Sequence, residues 1–367
     1  MKILYVTTIG PTMNFFKKVI ENLISEGHIV DIATNDSSRK VPDYYIDFGC
    51  KIFSLSCSRS PVNRGNFKAI GEIRKIVEDG GYDIVHCHTP IAAACTRLAC
   101  IGMRKKHGVK VFYTAHGFHF YKGAPIKNWM IYYPIEKICS HYTDKLITIN
   151  KEDYELAQKK FKAKEIHYVP GVGIDLSCFE GVTVDRAAKR AEFGVPEDAI
   201  LFTSVGELSV RKNQKLLIQA FAKLNSDNIH YAILGSGSME FELKTFIDEN
   251  QLSDRVHLLG FRRDVVEIYK ASDVCCLSSL QEGLPVSVME GMACGLPVIC
   301  SRIRGNVDLI DENGGALFDC RSVEECIQAI CTMLNSDLKQ LGAVNKEQIK
   351  NYSIDKVYLK IKELYGV

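Results

Sequence analysis

Short apolar runs alternate with amphipathic stretches twice over in this chain, and that alternation limits its fold more than any composition figure. Residues 2–7 form a compact apolar run closed by Gly10 and Pro11, and 13–25 then carries Phe16, Val19, Ile20, Leu23 and Ile24 as a helical stripe. Gly27 stops the helix and 28–33 reads as a second strand, so the chain opens with a βαβ unit. The rhythm continues through 52–55, 70–77, 82–87, 91–101, 110–115, 130–142 and 145–149. A second series starts at 200–205 and runs through 214–224, 231–234, 241–249, 256–259, 265–270, 274–277, 286–293 and 297–300. Both series predict doubly wound parallel sheets with helices on each face, an α/β architecture of two Rossmann-like domains. The run His167-Tyr168-Val169-Pro170-Gly171-Val172-Gly173 is punctuated like a connector and sets the boundary near residue 175, giving domains at 1–175 and 176–350. Open sheets of this type take ligands at the carboxyl ends of their strands, so a cleft between the domains is the expected site.

With 367 residues, 25% charged and 46% apolar, the chain is long enough for two cores. No 18-residue apolar run exists, because Arg97 interrupts the longest candidate at 91–103, and 1–6 is too short for a signal core; a cytoplasmic protein is expected. Its 14 cysteines lie in apolar segments without C-x-x-C spacing and read as buried free thiols. The net charge of +2 hides an asymmetry: residues 1–180 hold 25 Lys and Arg against 18 Asp and Glu. A basic amino-terminal half suits an anionic partner or a membrane surface, or is a plain solvated face; no nucleic-acid partner is expected.

The chemistry concentrates in Gln281-Glu282-Gly283-Leu284-Pro285-Val286-Ser287-Val288-Met289-Glu290, where two carboxylates stand eight residues apart. Gly283 and Pro285 mark a loop and 286–293 the following helix, so Glu282 precedes the helix and Glu290 sits about one turn inside it. Free N–H groups at the helix start suit a phosphate and the carboxylates suit hydroxyl donors, a combination that a nucleotide sugar offers. Arg211 and Lys212 lie on the loop after the first strand of the second series, placed to neutralise a diphosphate. Gly235-Ser236-Gly237 follows another strand, but Glu240 occupies the third glycine's place of a dinucleotide fingerprint; close approach to a nucleotide explains Gly235 equally well. In the first half, His86, His88, His116 and His119 fall at strand ends. No Cys or carboxylate completes a metal set and no D-x-D occurs, so no metal and no cofactor are expected, and sugar hydroxyls are the expected partners.

These residues together resemble glycosyltransferase family 4, retaining enzymes of the GT-B fold. The resemblance rests on the glycine loop at Gly10, the His86-Cys87-His88 strand end, Ala115-His116-Gly117, Pro170-Gly171-Val172-Gly173-Ile174-Asp175, the Gly206 to Asn213 loop and the Glu282 to Glu290 segment. It implies a donor-binding carboxyl-terminal domain, an acceptor-binding amino-terminal domain, and a last helix at 351–367 that crosses back to the first. It further implies that Glu282 contacts the donor sugar and Glu290 the ribose, that Lys212 and the N–H groups of Gly283, Leu284, Pro285-flanking backbone and Val286 hold the diphosphate, and that His116 faces the reacting sugar. Gly10 would let its loop approach the diphosphate, and Arg262 would lie beside the base. Where many members have Gly-Arg this chain has Gly206-Glu207, so Arg211 is the candidate second cation.

The nearest likeness is to bacterial capsule and exopolysaccharide enzymes. It implies a UDP-linked donor, a polyprenyl-diphosphate-linked or other oligosaccharide acceptor, and retention without an enzymic nucleophile. His88, His119 and Lys122 are the acceptor-side candidates. Arg97, Arg104, Lys105, Lys106 and Lys110, with Phe118, Phe120, Trp129, Tyr132 and Tyr133, mix cations and rings in the way that suits peripheral contact with an anionic bilayer. Two alternatives stay open: a nucleotide-sugar 2-epimerase of the same fold, and a non-catalytic nucleotide-sugar-binding subunit.

Overall fold

The computed structural model describes residues 1–367 other than Ser38 and Asn225. The chain divides into two compact units, Met1–Gly173 with Ile354–Val367, and Ile174–Ser353. In the first unit seven strands, β1 (Lys2–Val6), β2 (Ile29–Thr34), β3 (Ile52–Ser54), β4 (Ile84–His88), β5 (Lys110–Ala115), β6 (Lys145–Thr148) and β7 (Glu165–Tyr168), pair in the order β3-β2-β1-β4-β5-β6-β7. Every pairing is parallel. The second unit holds β8 (Ile200–Val205), β9 (Ile229–Leu234), β10 (Val256–Gly260), β11 (Val274–Leu277), β12 (Val298–Ser301) and β13 (Gly315–Phe318), ordered β10-β9-β8-β11-β12-β13 and again all parallel. Parallel sheets need helical crossovers that cover both faces, which is why β1, β4, β8 and β11 are buried along most of their length rather than on alternate residues. Strand order reverses beside β1 and beside β8, and sheets of this kind take ligands at the carboxyl ends of the strands at such points.

Some elements escape the apolar rhythm. His167 and Tyr168 of the expected connector belong to β7, which pairs with β6. The Lys151–Lys160 helix is strongly polar and buries few side chains, yet Asn150 caps it by accepting from the Asp153 N–H at 2.8 Å. The last helix, Ile354–Tyr365, lies in the first unit, where Val357, Tyr358 and Tyr365 join the core around Tyr5, Phe112 and Ile147. Lys362 pairs with Glu26 at 2.8 Å on its outer side.

The rings of the first unit's mixture, together with Arg97, are turned to the interior, whereas Lys105, Lys106 and Lys110 are exposed. Arg97 is 1% exposed, and its guanidinium meets Glu136 at 2.8 Å, lies 4.3 Å over the Tyr113 ring and donates from Nε to the Ala93 carbonyl at 3.0 Å. Arg104 forks onto both oxygens of Asp144. Phe118 and Phe120 stack in the core, with Trp129 and Tyr133 packed against them. Burial of these rings outweighs any use at a surface, and the one ionic group placed among them must carry its own counter-ion.

Breaking that pair strands a charge in the core. Arg97→Ala is expected to cost about 3–5 kcal/mol, and the double change Arg97→Met with Glu136→Leu to recover most of it. Urea unfolding followed through Trp129, the sole tryptophan, reports on this unit and checks both values.

Candidate active site

In the second unit, the loops after β8 and β11 are stitched together at the carboxyl edge of the sheet. Asn213 adopts a left-handed conformation (φ 54°) and donates to the carbonyls of Ser278 and Cys320 at 3.2 and 3.0 Å, while the Leu280 N–H donates to the Arg211 carbonyl at 2.8 Å. At the junction, Glu282 Oε1 accepts from Ser279 Oγ at 2.6 Å, Lys212 Nζ at 2.7 Å and Arg211 Nη1 at 3.2 Å. Arg304 Nε holds the Glu282 carbonyl at 3.0 Å. Lys212 lies along Gly206, where a Cβ would meet its Cε at 3.2 Å, and a Cβ at Gly235 would strike the Gly206 carbonyl oxygen at 1.9 Å. Gly235 thus permits the close approach of two strand ends that sets the lysine in place.

Two cations against one carboxylate leave this corner with a surplus positive charge, and the adjacent helix adds to it. The Val286–Ala293 helix begins at Pro285 with no side-chain cap, and its first-turn N–H groups have no carbonyl a turn back within the helix. Gly283 and Val286 are partly exposed, whereas Leu284 and Pro285 are buried. Ser209 Oγ, one turn of loop before Lys212, is buried without a hydrogen-bond partner among the described residues. Such an arrangement suits an anion, because charge, dipole and unfilled donors act together.

Glu290 stands apart from it: half-buried, it makes no hydrogen bond or ion pair with Lys212 or Glu282, and burial raises its carboxyl to about 7. Glu207 is exposed, while Arg211 occupies the place beside Lys212. Arg262 is held by Asp264 and Glu192, the nearest contacts being 2.5 and 2.9 Å, so its guanidinium is already neutralised within the second unit. A cavity of about 690 Å³, lined by Arg186, Lys270, Asp273, Leu296 and Lys346, contains none of Arg211, Lys212, Glu282 and Glu290. It sits at the amino ends of β11 and β12, so strand polarity favours the Lys212 corner as the ligand site.

In the first unit the histidines form a buried chain. His86 bonds through Nδ1 to Tyr365 OH at 2.5 Å and through Nε2 to Thr114 Oγ1 at 2.8 Å, and Tyr365 OH meets Tyr5 OH at 2.8 Å. His88, expected on the acceptor, is 2% exposed, sandwiched by Tyr5 and Phe16, and shares a hydrogen bond from Nδ1 to His116 Nε2 at 3.1 Å. It backs His116 rather than reaching solvent, because β4 is an interior strand whose last residue is roofed by the segment Gly10–Phe16. A Cβ at Gly10 would meet the Arg39 carbonyl oxygen at 2.6 Å, so the packing of the chain itself requires a glycine there.

A hollow of about 290 Å³ opens beside these histidines, lined by Thr8, Thr12, Arg59, Thr89, His119 and Tyr132. Thr89, just after β4, has φ 65°, a strained position for a β-branched residue, with its hydroxyl 2.6 Å from that of Thr8. Arg59 is exposed and makes no ion pair among the described residues. Neither Arg59 nor the threonines carry a periodic signal; an arginine between serines in a strand-end loop was the only hint. Lys122 lies outside the hollow, exposed, with its N–H on Glu152 Oε1 at 3.0 Å. Among the described residues no group of three or more His, Cys, Asp or Glu is placed to hold a metal ion.

Two parallel-sheet α/β units, the second with a cationic corner beside an uncapped helix start, have the architecture of the GT-B fold. A profile described as "Glycosyl transferase 4-like" matches residues 2–150, and one described as "Glycosyl transferases group 1" matches 185–352. The putative glycosyltransferase EpsD of Bacillus subtilis is 38% identical over 313 residues, 83% of this chain and 78% of that protein. The Escherichia coli UDP-Gal:alpha-D-GlcNAc-diphosphoundecaprenol alpha-1,3-galactosyltransferase is 29% identical over 356 residues, 94% of this chain and 90% of that one. Among solved structures, Anabaena HepE in complex with UDP superposes with a TM-score of 0.80 at 18% identity, covering 100% of both chains. The chain belongs to glycosyltransferase family 4 and is a glycosyltransferase.

Burial depresses the pKa of His86 to about 3 and of His116 to about 4, and drives that of His88 well below its usual value. The unfolded chain therefore takes up these protons first, near pH 6.5, so their stabilising effect is complete above that pH and drains away as pH falls toward about 4. Between those limits each buried ring contributes a slope of about 1.4 kcal/mol per pH unit. Urea unfolding followed through Trp129 should show this loss, and His86→Asn should remove one ring's share of the slope.

Proposed function

We propose that this enzyme transfers a hexosyl or N-acetylhexosaminyl group, with retention of anomeric configuration, from a UDP-linked donor to a polyprenyl-diphosphate-linked glycan during synthesis of a capsular or extracellular polysaccharide. The observation that carries the reading is the Lys212–Glu282 contact of 2.7 Å at the strand ends, beside an uncapped helix start. The acceptor named for the Escherichia coli relative and the UDP bound to Anabaena HepE support the choice of substrates.

In this reading the donor diphosphate lies on the first-turn N–H groups at Gly283–Val286, with Lys212 and Arg211 neutralising the charge that grows as the glycosidic bond breaks. Glu282, which spends one oxygen on those cations, has Oε2 left to accept from a sugar hydroxyl. Glu290 takes the ribose hydroxyls. The acceptor attacks on the face the diphosphate leaves, and the departing phosphate oxygen takes its proton. His116, neutral at ordinary pH and with Nε2 committed to His88, offers Nδ1 to the transferred sugar. Arg59 and the threonine hydroxyls around the first unit's hollow suit the acceptor's diphosphate. The enzyme meets its lipid-borne acceptor as a peripheral protein on the cytoplasmic face; among the described residues no helix is long and apolar enough to cross a membrane.

Incubation with a panel of UDP-sugars and a short-chain prenyl-diphosphate sugar, followed by mass spectrometry, tests the reaction. A product extended by one sugar is expected; a changed donor sugar without acceptor would place the chain with the epimerases instead. Lys212→Ala should lower kcat about 10²–10³-fold with the fold intact. Ribose hydroxyls donating to Glu290 favour its ionised form, so UDP affinity should rise as pH climbs through about 7, and calorimetry on Glu290→Gln should find that slope gone.

A further inference from the structure

The Ile126–Ser140 helix shows two unlike faces. Trp129, Tyr132 and Tyr133 pack inward on the core, and Glu136 is committed to Arg97. On the other side Ile126, Met130 and Ile138 are 78%, 72% and 59% exposed, joined by exposed Ile131, Pro134 and Ile135. At about 100° per residue these positions share one half of the helix circumference, over a length of about 22 Å. The only charges on that half are Lys127 and Lys137, both exposed. Surface helices ordinarily turn a polar face to water, and a contiguous apolar patch of this kind marks an interaction surface.

The lack of any carboxylate selects the occupant. If a second copy met this face with its own, Lys127 and Lys137 would find no acid to pair with, whereas phosphate headgroups supply a layer of negative charge at the depth where lysine heads rest. Isoleucine and methionine side chains then enter the boundary between headgroups and acyl chains, as in helices that lie in the interface plane. Tyr132, on the inner side of the same helix, also lines the hollow that holds Arg59. We propose that the exposed Ile126–Ser140 face, with Ile126, Met130, Ile131, Ile135 and Ile138 flanked by Lys127 and Lys137, docks the enzyme on an anionic lipid bilayer. Its position lets a lipid-linked substrate keep its chain in the membrane while its diphosphate enters the neighbouring hollow. This last step rests on the acceptor proposed above.

Co-sedimentation of the full chain with phosphatidylglycerol–phosphatidylcholine vesicles and with pure phosphatidylcholine vesicles tests the surface. Binding to the anionic vesicles, weakened by salt, is expected. Met130→Gln with Ile138→Gln should lower partitioning about tenfold or more, and Lys127→Glu with Lys137→Glu should remove the preference for anionic lipid. Both variants should keep the wild-type melting temperature and turnover of a water-soluble short-prenyl acceptor. Wild-type protein that turns over that acceptor yet ignores vesicles, or variants that bind like wild type, would overturn the docking. A dimer lost in Met130→Gln with Ile138→Gln and no vesicle binding would assign the face to a second copy and overturn it too. Failure of wild type to use the soluble acceptor with any UDP-sugar would instead overturn the acceptor reading, and the vesicle result stands without it.

Discussion

One carboxylate oxygen, Oε1 of Glu282, gathers an ammonium, a guanidinium and a hydroxyl from two loops that leave different strands. Those loops have no sequence proximity; β8 and β11 bring them together because they are neighbours in a parallel sheet and end at the same edge. The contact is therefore both a product of the fold and a clamp upon it. It also fixes an electrostatic condition, since a lysine tied to a buried acid is held in one orientation and surrenders little freedom when a diphosphate arrives. The glycines at 206 and 235 serve the same end by letting backbone and lysine stem crowd together.

The first unit is organised around polar groups taken out of water rather than around an exposed charge cluster. Arg97 and Glu136 satisfy one another between helices, and the chain from Tyr5 through Tyr365 to His86 and Thr114 ties the last helix to the strand ends. Each of these groups is costly without its partner, so they specify one arrangement of the elements they join. His88 extends this interior to His116, whose orientation is thus set from behind.

Much of this was legible in the chain. Gly283 and Pro285 announced the start of the Val286–Ala293 helix, and the double run of strands and stripes announced two parallel sheets, because both signals are local. The pairing of Lys212 with Glu282 was anticipated only as convergence; their contact depends on strand order. What stayed hidden is what burial decides. Arg97 looks like any surface cation until Glu136 is placed beside it, the crowding of residues 39–41 against Gly10 leaves no local pattern, and His88 looks exposed until Phe16 covers it. Arg59 was missed because a lone loop arginine acquires meaning only from the hollow it borders. The rings of the Ile126–Ser140 helix drew attention in the sequence, while its isoleucines face the solvent.

The central claim is that the Lys212 corner is where the donor diphosphate binds, and a crystal structure with UDP tests it most directly. The account predicts phosphate oxygens within hydrogen-bond distance of Lys212 Nζ and of the N–H groups that open the Val286–Ala293 helix. UDP seated instead among Lys270, Lys346 and Arg186 at the opposite strand ends, with the Lys212–Glu282 corner empty, would contradict it.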